Sequence, residues 1–221
     1  MTIKSKAVTV LGLIAGLVAA SATAQAKVLE HIVFHDNTAF MSFNTFTEID
    51  CGGGVTGFFI TSVNLNGFEF TNKSTSNGDV RSNSATLSIF QQNGCTFESF
   101  FGIGNLDGGY TQNVLKSGHF LGTVPLADFN GVPLGSATMD ITVTGTGPVT
   151  QNNQHFRFTI ATPTGPAVET IHTNGKSVNA FISSFSLSLN GVTIPAPPPE
   201  QVFSQLAVTK SGTMELVKSN K

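Results

Sequence analysis

The chain has 221 residues, a formal net charge of −2 and only 11% charged side chains. No basic run occurs, so nucleic acid is excluded as an expected partner. Two cysteines, no tryptophan and one tyrosine set against 19 phenylalanines further limit the chemistry available.

The N-terminus carries Lys4 and Lys6, an apolar run from Ala7 to Ala20, and the small-residue sequence Ala24-Gln25-Ala26. This is the order of a cleavable secretory signal, with processing expected before Lys27. The apolar run is shorter than the roughly 20 residues that span a bilayer. Residues 1–26 are therefore read as signal peptide and 27–221 as one domain with no transmembrane segment after cleavage. Removal of Lys4 and Lys6 leaves 9 basic against 13 acidic side chains. The short, alanine-rich signal suits a secreted or periplasmic bacterial protein, and there the sequon Asn72-Lys73-Ser74 is expected to be idle.

From Val28 onward the dominant period is two, clearest in Met139-Asp140-Ile141-Thr142-Val143-Thr144 and Phe185-Ser186-Leu187-Ser188-Leu189. Such alternation marks half-buried antiparallel strands. The predicted strands are Val28–Phe34, Phe40–Glu48, Gly57–Val63, Phe68–Asn72, Ala85–Gln91, Thr96–Phe101, Ser136–Thr144, His155–Ala161, Val168–His172, Val178–Leu189, Val202–Thr209 and Thr213–Val217. Asn-Gly pairs at 66–67, 77–78, 93–94, 130–131, 174–175 and 190–191 are read as hairpin turns. No long stretch keeps a 3.6-residue period, so little helix is expected outside the signal peptide. The fold class is all-β: an antiparallel two-sheet β-sandwich, jelly-roll-like, filled by phenylalanine. The proline-rich stretch 194–200 cannot donate ladder hydrogen bonds and is read as the crossover between the sheets.

Cys51 and Cys95 are expected to form a structural disulfide in an oxidising compartment. His31 and His35 share a face but lie about 13 Å apart along an extended strand, too far for one ion. Ser117-Gly118-His119 and the glycines at 102, 104 and 108 match no complete catalytic or dinucleotide-binding signature. Asn105, Asp107 and Tyr110 share a glycine-rich segment with oxygen donors and the sole tyrosine, and are the candidate ligand or calcium contacts. No catalytic residue is assigned, and no cofactor is expected apart from calcium as a candidate. The resulting expectation is an exported, non-catalytic β-sandwich, a binding or structural component with a surface or matrix partner. The alternatives are an extracellular hydrolase using a carboxylate pair or histidine-bound metal, and a calcium-dependent binding module.

Overall fold

The computed structural model describes residues 28–74, 78–163 and 165–218. The signal peptide read at residues 1–26 and the predicted processing site before Lys27 lie outside the described residues. Ten strands follow in chain order: β1 (Val28–Asp50), β2 (Thr56–Ser74), β3 (Gly78–Asn93), β4 (Ser99–Asp107), β5 (Tyr110–Asn113), β6 (Ser117–Ala127), β7 (Pro133–Thr162), β8 (Gly165–Leu189), β9 (Val192–Thr193) and β10 (Val202–Lys218). A 3-10 turn, Pro199–Gln201, precedes β10.

All strands belong to one antiparallel sheet ordered β10-β1-β2-β3-β4-β6-β7-β8-β9, and β10 also pairs with β8. That last pairing returns the sheet to its starting edge, so eight strands form a closed ring. The two-sheet sandwich is corrected accordingly. Alternating strands bury one face equally well against a second sheet or against their own curled interior, and a period of two does not distinguish them. The stretch 194–200 links β9 to β10 within this one sheet, so it is no crossover between sheets.

Several predicted strands merge. β1 runs unbroken through 28–50 and pairs with β2 in continuous register from Ile32↔Ser74 to Asp50↔Thr56. Asn66-Gly67 and Asn174-Gly175 lie inside β2 and β8 and are not turns. Gly67 is needed for close approach: a Cβ there would sit 2.3 Å from the Tyr110 ring. Asn190-Gly191 does turn the chain, with φ of 50° and 83°, the pair of positive values that a tight hairpin requires. The Cα atoms of Cys51 and Cys95 are 5.3 Å apart with the sulfurs joined, tying the β1–β2 connection to the β3–β4 connection.

Half of the ring is packed solid. Met41 and Phe43 of β1, Leu65 of β2, Leu87 and Ile89 of β3, Leu126 of β6, Met139 and Ile141 of β7, Leu187 of β8 and Leu206 of β10 are all fully buried inside it. Eight strands enclose an interior just wide enough for side chains to fill. Beyond this half the wall opens. β6 last pairs with β7 at Ser117↔Thr144 and β4 last pairs with β3 at Ser84↔Asp107, while β7, β8, β10, β1, β2 and β3 continue. Those six form a flared, open sheet above the packed half.

Candidate functional site

The boundary between the packed and flared halves is a mouth, and β5 closes its floor. After Asp107 the chain turns through Gly108 and Gly109 and enters the ring as Tyr110–Asn113, paired only to β6. Tyr110 is buried against Phe120, with ring centroids 4.8 Å apart. Glycines on two strands make room for it, Gly67 for the ring and Gly118, whose Cβ would lie 2.9 Å from the hydroxyl, for the phenol tip. The Tyr110 hydroxyl donates to Gln112 Oε1, and Gln112 Nε2 reaches across the interior to the Ala207 carbonyl of β10 at 3.0 Å. Burial raises the pKa of this phenol, and Glu69 adds to the rise, so it stays protonated.

Above this plug lies a cavity of about 540 Å³ lined by Val114, Leu115, Val208, His35, Gln151 and Lys176 among others. An adjoining polar cavity of about 440 Å³ shares His35 and Asn37 and adds Glu69 and Arg81. Strand alternation accounts for the set. Ala39, Met41 and Phe43 point into the core, so Asn37 and His35 continue the same face past the core's upper limit. Val208 of β10 is a register partner of Asn37, and its neighbours Lys176 and Gln151 are partners across β8 and β7. Asn37 Nδ2 donates to Glu69 Oε2 at 2.9 Å, which fixes that carboxylate to the wall. Lys176 is half-buried and lines the cavity with Val208, its register partner. A mouth with an apolar floor, a cation and several amides is a common small-molecule site in barrels.

The residues singled out from sequence fall elsewhere or act differently. Asn105 and Asp107 are exposed on β4, opposite Thr86 and Ser84, and Asn105 Oδ1 accepts from Thr86 Oγ1 at 3.0 Å. Tyr110 points inward from them, so the three do not converge on one exposed loop. Among the described residues no three His, Cys, Asp or Glu side chains form a metal-holding group. His31 and His35 have different neighbours: His31 lies 3.5 Å from Glu215, and His35 lines the mouth. His119 pairs with Asp140 at 2.9 Å on the outer surface, and Ser117 faces Thr144 in the β6–β7 ladder. Asp128 accepts backbone hydrogens from Asn130 and Val132, each at 2.8 Å. The Val132 bond is the main reason its pKa is lowered, which marks a turn-forming carboxylate.

Sequence reading missed Lys176, Gln151 and Asn37, because only the register across four strands brings them together. It also missed Asp36, whose Oδ1 is buried without a hydrogen-bond partner among the described residues. Desolvation raises its pKa against the lowering influence of His35. Asp36 lines a groove of about 380 Å³ on the opposite face of the wall, with Phe34, Asn152, Gln154 and Gln205.

Comparison with known proteins adds little. No family model and no curated protein matches the chain. Among solved structures it is similar to an acetoacetate decarboxylase-like enzyme from Sphingomonas wittichii RW1, at 13% identity over 90% of this chain and 95% of that one, with a TM-score of 0.21. The expectation of a non-catalytic β-sandwich is corrected at its architecture. The strands form one closed sheet and not two packed ones. A likeness this distant assigns no activity.

Proposed function

We propose that the chain binds a small amphipathic acid in the mouth of its barrel. The observation that carries this reading is the composition of the 540 Å³ cavity, where the apolar side chains of Leu115 and Val208 share the lining with Lys176. Val114 and Val149 extend the apolar lining, while His35, Asn37 and Gln151 provide hydrogen-bonding groups beside the cation. A carboxylate on the ligand meets the Lys176 ammonium, and a short hydrocarbon tail displaces water from the floor. The adjoining polar cavity carries charges of both signs, Glu69, held by Asn37, and Arg81.

The N-terminal signal features and the Cys51–Cys95 bridge support a place of action outside the cytoplasm, secreted or periplasmic. Among the described residues no helix is long and apolar enough to cross a membrane.

Calorimetric titration with octanoate, and separately with octyltrimethylammonium, tests the site. Octanoate is expected to bind and the cation is not. Lys176→Met should weaken octanoate binding about tenfold or more, the loss of one charge-assisted contact. Val208→Trp, which fills the floor, should abolish it. Equal binding of both amphiphiles, or an unchanged Lys176→Met, would overturn the reading.

A further inference from the structure

The hairpin formed by β7 and β8 extends well beyond the mouth, and the rise of a strand puts its His155↔His172 pair about 13 Å past Gln151↔Lys176. The register is uninterrupted between these pairs, so both histidines lie on the face that carries the mouth. Their rings stack directly across the strands, with centroids 4.1 Å apart and planes within 8° of parallel. Both side chains are exposed to solvent. Neither has a hydrogen-bond or ion-pair partner among the described residues.

We propose that His155 and His172 form a two-histidine site for a divalent transition-metal ion. Two metal–nitrogen bonds of about 2.0–2.1 Å span at most about 4.2 Å, so rings this close need only turn about their Cβ–Cγ bonds for one nitrogen of each to meet a single ion. The ladder fixes the two Cβ atoms, so little chain entropy is lost when the metal binds. Two residues toward the mouth, the cross-strand pair Asn153↔Asn174 places amide oxygens on the same face, and water completes the coordination sphere. Neutral imidazole is a borderline ligand, which selects copper, nickel and zinc over calcium and magnesium, with copper(II) bound most tightly. The ion staples the two strands of a hairpin that, among the described residues, has no strand paired beyond β7, and it leaves open coordination positions facing solvent.

The test uses the full, untagged chain and copper(II), read by calorimetry and by electron paramagnetic resonance. One ion per chain is expected, with nitrogen hyperfine structure from two imidazoles. His155→Ala and His172→Ala should each weaken binding about tenfold or more, whereas His119→Ala should leave it unchanged. Copper should raise the melting temperature with the logarithm of its free concentration, and chelator should reverse the rise. Calcium and magnesium should do neither. Because both histidines are exposed, the variants should melt like the parent without metal, which separates lost ligation from lost folding. A double variant that titrates like the parent, or a spectrum without nitrogen coupling, would overturn the proposal. Neither result bears on Lys176 or on octanoate binding.

Discussion

The packed and flared halves of this sheet are built from the same strands with opposite habits. In the packed half, Met41, Leu65, Leu87, Ile141 and Leu206 turn inward and are fully buried. In the flared half the same alternation presents His35, Glu69, Arg81 and Lys176 to the mouth. The aromatic side chains move to the outer face, where Phe34 contacts Phe70 at 6.4 Å and Phe68 stacks on Phe70 at 5.8 Å. Residues 146–159 of β7 are all exposed, whichever way they point. Stability is therefore concentrated below the mouth and chemistry above it. An open sheet with weak local packing can carry a binding surface because the closed half supplies the cohesion.

Four measurements would break or sharpen that contrast, beginning with the largest effect. Replacing Cys51 and Cys95 with serine frees a loop spanning 44 residues of separation, and the chain-entropy model sets the loss at roughly 4 kcal/mol. Denaturant unfolding should register this loss, and an unchanged midpoint would mean that the bridge constrains nothing. Leu87→Ala, wholly inside the packed half, should cost about 3 kcal/mol, whereas Phe156→Ala in the flared half should cost under about 1 kcal/mol. Comparable losses at the two sites would erase the distinction between the halves.

Next comes Gly67→Ala, which places a methyl group against the Tyr110 ring and should cost about 2 kcal/mol. Combining it with Tyr110→Ala should yield less than the sum of the two losses; strict additivity would show that the plug does not rest on Gly67.

The smallest effect is a pH dependence. Folding raises the Tyr110 pKa above its ordinary value of 10.0. The associated stability is thus fully present below pH 10 and is lost as pH rises above it. Tyr110 is the only tyrosine, so phenolate absorbance reports it alone. It should appear only together with alkaline unfolding, and Tyr110→Phe should flatten the alkaline decline. Titration of the phenol in the folded protein near pH 10 would place Tyr110 outside the core.

Much of the strand content was legible because alternation is local: Met139–Thr144 and Phe185–Leu189 lie in β7 and β8 as their patterns predict. The disulfide partners followed from there being only two cysteines. Strand ends were less legible. Asn66-Gly67 has a turn's composition, yet its glycine serves a ring that arrives from more than 40 positions away. Ring closure through β10 and β8 was not legible at all, since it depends on register between segments that no local pattern links. The mouth shares that limit. Lys176 is an ordinary lysine beside a glycine until Val208 and Asn37 are set next to it in the ladder.

The seam between β4 and β6 has a kinetic consequence. Only Ile103↔Ala127 pairs these strands, whereas β1 and β2 are laddered along almost their full shared length. Pro125 of β6 has no N–H to offer, and the two backbones come close beside that one pair: a Cβ on Gly104 would lie 2.1 Å from the Pro125 oxygen. The ring is thus a cylinder with one nearly unsewn joint. Amide hydrogen exchange should enter there first, through openings far cheaper than global unfolding. The same joint borders the segment that bears Tyr110, so the plug sits behind the wall's weakest stitch and can be bared while the other seams hold.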